Sequence, residues 1–280
     1  MIRAAMITAL LATPAAAQDR VVVIGGGLAE IVYALEQEHR LVGRDTTASH
    51  PPAVNDLPDV GYMRALSPEG LLQLDPDLIL ASDGAGPLET IQIMQAADVP
   101  FVQIPETASM DGVLERVEQV AQHLQAQDAG AQLVDRLRAD FAALAQQTAQ
   151  VTTPRRVMFV LSAQGGRINA AGRDTGAGAM IHMAGAVNAF DDFAGYRLLT
   201  DEAIAAAAPD AIVMMDRDGD HALSDAEIAR HPALGLTPAA QNGQITRMNG
   251  IYLLGFGPRT AQAAQDLHKA IYPALTHQGG

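Results

Sequence analysis

The chain has 280 residues, 49% of them apolar, no cysteine, and a formal net charge of −14 at pH 7. The missing cysteine excludes thiolate metal sites, thiol nucleophiles and disulfide scaffolding. The acidic balance makes nucleic acid and anionic membrane surfaces poor electrostatic partners.

Met1, Ile2 and Arg3 precede an apolar run, Ala4 to Ala12, and a small-residue site at Ala15-Ala16-Ala17. This pattern predicts an export leader over 1–17, removed to leave a chain of charge −15 once Arg3 is lost. No later stretch reaches the ~18 to 20 apolar residues of a spanning helix, so the mature chain is expected not to insert into a membrane.

Val21-Val22-Val23-Ile24 reads as a strand, Gly25-Gly26-Gly27 as a tight turn, and Leu28 to Leu35 as a helix. Further strands are expected at Arg40 to Gly43, Leu78 to Ala81 and Phe101 to Ile104, with helices at Pro68 to Leu74 and Leu88 to Ala97 between them. Alternation of this kind predicts a mostly parallel sheet. From Met110 to about Ala149 only helical spacing appears, through Val113, Val117, Val120 and Leu124, then Leu133, Leu137, Phe141 and Leu144, with a break expected at Asp128 to Gly130. A new strand at Val157 to Leu161 opens a second unit. The expected organisation is α/β: an N-terminal lobe over 18–108, a helical connector over 109–150 and a C-terminal lobe over 151–280. Each lobe should hold a mostly parallel sheet flanked by helices, with the ligand in the cleft between lobes.

A half-repeat supports that division. Gly61-Tyr62-Met63-Arg64 leads through Ser67-Pro68-Glu69 to Pro76-Asp77 and an apolar strand; Gly195-Tyr196-Arg197 leads through Thr200-Asp201-Glu202 to Pro209-Asp210 and another. Ser67 and Thr200 both suit helix starts. In open parallel sheets ligands bind beyond the carboxyl ends of strands, so facing lobes would set Tyr62 and Tyr196 on opposite walls. The alternative is that each tyrosine only covers the helix after it.

Together with the leader and the glycine-rich first turn, Gly61-Tyr62-Met63-Arg64, Pro76-Asp77, Asn188 after Gly185, and the run Tyr252-Leu253-Leu254-Gly255-Phe256-Gly257-Pro258-Arg259 resemble the haemin-binding periplasmic proteins of bacterial haem importers. The resemblance covers essentially the whole mature chain, and the wider group includes cobalamin and ferric-siderophore carriers. It implies a monomeric periplasmic carrier, not an enzyme, that delivers haem b to an ABC permease; the alternative cargo is a ferric siderophore or corrinoid. It implies Tyr62 as axial ligand of the haem iron, Arg64 as partner of its phenolate, and Arg173, Arg167 and Tyr196 as pocket support. Phenolate is a hard anionic donor suited to ferric iron. Where some members carry a second-lobe histidine ligand, this chain has Arg173. The resemblance further implies Glu69 and Glu202 as permease contacts, although each also suits a helix N-terminus by charge alone.

Three other signals carry less. Gly25-Gly26-Gly27 with Asp45 only partly matches a dinucleotide fingerprint, since Glu30 stands in place of its third glycine. Asp216, Asp218, Asp220 and Glu227 have the spacing of a calcium loop, but His221 replaces the turn glycine, so a structural calcium and a solvated acidic loop are both open readings. The histidines, among them His50 and His182, lack paired metal-ligand spacing, and no nucleophile elbow occurs, which leaves a secreted metal-dependent enzyme without convergent ligands.

Overall fold

A computed structural model describes residues 19–216 and 223–273, leaving the expected leader and positions 217–222 outside the described residues. The first sheet is built from β1 (Val21–Ile24), α1 (Gly26–Ala34), β2 (Leu41–Arg44), α2 (Pro68–Leu72), β3 (Leu78–Ser82), α3 (Leu88–Ala96) and β4 (Phe101–Ile104). Its strand order is β2-β1-β3-β4 and every pairing is parallel. β1 is buried at all four positions, which is why it reads as a continuous apolar run rather than an alternating one.

Two helices follow, α4 (Met110–His123) and α5 (Gln127–Thr148). The break between them falls earlier than expected. Gln125 takes φ 56 and the Ala126 N–H bonds back to the Ala121 carbonyl at 2.8 Å, a left-handed helix end. Gly130, expected to break the helix, instead lies inside α5, where a Cβ would come within 2.5 Å of the Ala121 Cβ. The glycine serves close helix packing, a need that periodicity does not display.

The second sheet draws on β5 (Arg156–Gln164), β6 (Arg167–Ala171), α6 (Gly176–Met183), β7 (Val187–Asn188), β8 (Tyr196–Leu198), α7 (Asp201–Ala207) and β9 (Ala211–Asp216). It is completed by α8 (Asp225–Arg230), α9 (Pro238–Gln241) and β10 (Ile245–Asn249), after which come α10 (Gly250–Leu254) and α11 (Thr260–Ile271). The sheet is mixed, in the order β10-β9-β5-β6-β8 with β7 also on β5: β7, β9 and β10 join β5 through parallel pairings and β6 is the reversed strand. β6 runs antiparallel to β5 because Gly165 and Gly166, at φ 58 and 74, close a two-residue hairpin between them, and β8 pairs antiparallel with β6.

Without that hairpin the half-repeat becomes visible in three dimensions. The parallel strands β7-β5-β9-β10 have the same order as β2-β1-β3-β4, and α7 precedes β9 as α2 precedes β3. Thr200 accepts the Ala203 N–H as an N-cap, whereas Ser67 makes no side-chain cap bond and α2 starts on Pro68. Three apolar cores result. One backs the outer face of the first sheet, through Ile24, Leu71, Ile79 and Met94, and one that of the second, through Met158, Phe190, Ile204 and Ile212. The largest is shared: Val21, Leu28, Val117, Leu137, Phe159, Met180, Leu253 and Leu267 belong to a single cluster spanning both sheets and the connector helices.

Gly27 marks where the halves meet, because a Cβ there would lie 2.1 Å from the Gly255 carbonyl oxygen. Gly27→Ala is expected to cost about 1–3 kcal/mol by overpacking, seen as a melting temperature lowered by ~2–4 °C per kcal/mol. Gly70→Ala is the matched control, since its Cβ would meet nothing closer than 3.9 Å; it should leave the melting temperature unchanged or slightly raised.

Candidate ligand-binding cleft

The floor of the cleft is organised by a cation in the wrong place for an ordinary helix. Arg116 stands on the apolar stripe of α4 between Val113 and Val120, and it is 1% exposed. Its guanidinium donates to the carbonyls of Gly255 at 3.1 Å and Phe256 at 3.3 Å, bonds Ser82 at the end of β3, and pairs with Glu106 at 3.2 Å. Burial pushes its pKa down, and the charge of Glu106 opposes that shift. Beside it Arg259 forms a fork on the buried Glu30, which raises the guanidinium's pKa, and lies over the Tyr252 ring at 4.8 Å. Tyr252 donates to Asp266 at 2.9 Å; burial, then that carboxylate, drives its phenol well above the usual range.

Above this floor lies a cavity of about 750 Å³. Arg64, Glu106 and Ala108 line it from the first half; Arg173, Thr175, Gly178, Ala179, His182 and Tyr196 line it from the second, with Leu254 and Phe256 beneath. Thr175 caps α6 by accepting the Gly178 N–H at 3.0 Å. The α6 side chains facing the cavity are therefore small until His182, one more turn along, whose Nε2 is 3.8 Å from Asp191. Arg173 lies 3.5 Å from Asp174.

The two Gly-Tyr turns occupy matching places. Gly61 has φ 94 and its carbonyl accepts the Thr46 N–H at 3.0 Å; Gly195 has φ 76 and its carbonyl accepts the Gly172 N–H at 2.8 Å. Both glycines sit in the left-handed region that side chains resist. Tyr62, two residues before Arg64, is 47% exposed and is not among the residues lining the cavity, whereas Tyr196, 42% exposed, lines it from the second half. Burial raises the Tyr196 phenol above its usual pKa while the positive charge of Arg64 pulls it back, which places these two groups within electrostatic reach across the cleft.

Other expected residues lie elsewhere. Arg167 is exposed beside the hairpin turn, paired with Gln164, and is not among the residues lining the cavity. Glu69 and Glu202 are exposed on the first turns of α2 and α7. Asp45 is fully buried and accepts the Gly25 and Thr47 N–H groups at 2.8 and 3.0 Å, so it anchors the loop after β2 and has no role toward a ribose. For the calcium reading, Asp218 and Asp220 lie outside the described residues. Glu227 closes a capping box with Ser224, and no group of three metal-ligating side chains occurs among the described residues. Arg116 and Glu106 were not singled out from the sequence; a lone arginine in the apolar stripe of an amphipathic helix was the available signal.

The architecture and its interlobe cavity define a two-lobe solute-binding protein. The chain matches the model of the Periplasmic binding protein family over residues 21–252 and belongs to that family. It is 42% identical to the periplasmic heme-binding protein BhuT, solved in complex with two hemes, over 91% of this chain and 98% of that one, with a TM-score of 0.87. The apo periplasmic heme-binding protein RhuT from Roseiflexus sp. RS-1 is 34% identical over 92% and 99%, also at 0.87. An uncharacterised ABC transporter substrate-binding lipoprotein, YvrC of Bacillus subtilis (strain 168), is 24% identical over 87% of this chain and 77% of its own length. No helix among the described residues is long and apolar enough to cross a membrane.

Arg116→Leu is expected to leave the Gly255 and Phe256 carbonyls and Glu106 without their buried partner, at a cost of about 3 kcal/mol in denaturant unfolding. Small-angle scattering should show a wider cleft in the surviving fold; an unchanged profile with full stability would mean that Arg116 does not hold the halves together.

Proposed function

We propose that this protein is a periplasmic carrier that binds ferric haem in the interlobe cavity and delivers it to an ABC importer. One observation carries the reading: Arg64 of the Gly61-Tyr62-Met63-Arg64 turn lines an interlobe cavity together with Arg173 of the other half, in a chain 42% identical to a heme-binding protein along nearly that protein's full length.

The donor set suits this cargo. Tyr62, exposed at its turn, supplies a phenolate, a hard anionic oxygen matched to ferric iron. Arg64, two residues on, is the partner of that phenolate, and Arg173 faces the cavity from the other half and suits a propionate, because guanidinium pairs carboxylates bidentately. Gly178 and Ala179 of α6, with Ala108, Leu254 and Phe256, offer low relief and apolar contact for a flat macrocycle. Tyr196, next to Arg64 in electrostatic terms, supports the pocket from the second half. Arg167 does not line the cavity and has no assigned contact with the cargo in this reading. Glu69 and Glu202, at equivalent points of the two halves, are the permease contacts in this reading, and the lobes divide at 18–108, 109–150 and 151–280.

Haemin titration of the mature protein should saturate and give a phenolate-to-iron charge-transfer band. Tyr62→Phe should lose that band and bind more weakly, and a band that persists would assign the iron to another ligand. Arg64→Ala should keep the band and weaken binding by roughly 10- to 100-fold, the usual cost of losing a group that orients a metal ligand. If the wild-type protein fails to saturate, haem is not the cargo.

A further inference from the structure

Phe256 holds φ 43, in the left-handed region where a bulky side chain is strained. Glu36, Asp75, Asp98, Gln125, Asp174 and Ala208 share that region, but all six are exposed, whereas Phe256 is 3% exposed. A glycine there would relieve the strain at no steric cost. Glycine stands instead on either side, at Gly255 and Gly257, neither of which has a positive φ. The strain is offset by what the ring and the backbone of Phe256 touch.

Its carbonyl accepts from the buried Arg116 at 3.3 Å, as the Gly255 carbonyl does at 3.1 Å, and Gly257 lies so near Gly27 that a Cβ would stand 3.1 Å from that residue's backbone. The turn is thereby bolted to the first half. Its ring meets the start of α6 in the second half: a Cβ added at Gly176 would come within 2.9 Å of Cε2 and 3.6 Å of Cζ. α6 carries the second wall of the cavity through Gly176, Gly178, Ala179 and His182, with Thr175 as its cap. Phe256 lines the same cavity, yet its low exposure means that packing, not open space, covers most of the ring.

We infer that Phe256 is a positioning residue for the cargo: its ring is the spacer that fixes α6 above the Arg116 floor, and so sets how closely the second wall covers a ligand held by the first half. The inference rests on the carrier reading above and adds to it a residue that acts through α6. The left-handed backbone lets one residue serve both contacts, with its carbonyl on Arg116 and its ring on Gly176. Gly176 is the complementary half of the device, since a side chain there would lift α6 off the ring. A wall that encloses the cargo without ligating its iron acts on release. Displacing it speeds dissociation while the Tyr62 phenolate still binds the metal.

A double-mutant cycle on the mature protein tests this, with haemin as the probe. Gly176→Ala sets a methyl against the ring; Phe256→Leu removes Cε2 and Cζ while keeping an apolar side chain in the core. Each alone should raise the haemin dissociation rate on the order of tenfold, since single changes at a binding site act mostly on release, with the phenolate-to-iron band retained. The double variant should return to within about threefold of the wild-type rate, because the new methyl fills the space the ring gave up, whereas a merely structural role predicts that the two losses add. Phe256→Met, whose flexible chain yields to the methyl, takes the place of Phe256→Leu if the latter does not fold. Additive losses, a wild-type rate in Gly176→Ala, or loss of the band in either single variant would overturn the inference. Amide hydrogen exchange over 173–183 in the ligand-free protein reads the same cycle without cargo: faster in each single variant, restored in the double. That pattern in a protein that bound no haemin would sink the cargo assignment and leave the spacer standing; its absence would sink the spacer whatever the haemin result.

Discussion

Arg116 is the contact on which the two halves depend. Taking a guanidinium out of water costs several kcal/mol, and only near-complete pairing offsets it. Here the pairing comes from both sides: Ser82 ends β3 and Glu106 lies in the loop after β4, and the Gly255 and Phe256 carbonyls belong to the turn after α10. Neither half alone satisfies the cation. An apolar residue at position 116 would avoid that desolvation, yet it would strand Glu106 and the two carbonyls and would not specify how those loops meet. The directional bonds of the guanidinium do specify it.

The surrounding residues reinforce this geometry by removing bulk. Gly26 and Gly27 admit Thr47, Ile251 and the Gly255 backbone at distances no side chain would allow. Glu30 and Arg259 add a second charged link between α1 and the start of α11. The shared core then runs continuously beneath, from β1 through α4 and α5 to α11. Such a junction resists wide hinge motion, because opening would expose apolar surface and strand buried charges at the same time. Ligand capture here is accordingly a matter of a largely formed cavity.

Much of this was legible in the sequence, for reasons that differ by element. The buried strands β1, β3 and β9 are unbroken apolar runs bounded by glycine, proline or aspartate, and the two Gly-Tyr turns repeat with their flanks, which supported the division into two lobes. The cavity-lining Arg64, Arg173 and Tyr196 came from that repeat and from family resemblance. The β5–β6 hairpin was missed although Gly165-Gly166 is a hairpin turn in its own right, because the apolar run before it read as one more parallel strand. The helix break was placed at Asp128 to Gly130 rather than at Gln125, since a left-handed non-glycine residue leaves no mark in composition. Arg116 was passed over because pattern reading treats a charge in a helix as solvent-facing, and only tertiary partners reveal the exception.

The duplication also explains why the cavity is electrostatically two-sided. The first half presents its Gly-Tyr turn against the loop after β2 and the second against the loop after β6, and the cavity takes Arg64 from one half and Arg173 from the other. In a chain of net charge −14, with Glu106 and Asp174 also lining the space, these cations form a local exception within an acidic molecule. Glu106 is already engaged by Arg116 and Asp174 by Arg173. A ligand bearing two carboxylates would compete with Asp174 for Arg173 and meet Arg64 directly, so its orientation is set by which half holds the stronger unshared positive charge. By that reasoning the first half, which also carries Tyr62, is where such a ligand is held first, and the second half completes the enclosure through the small-residue face of α6.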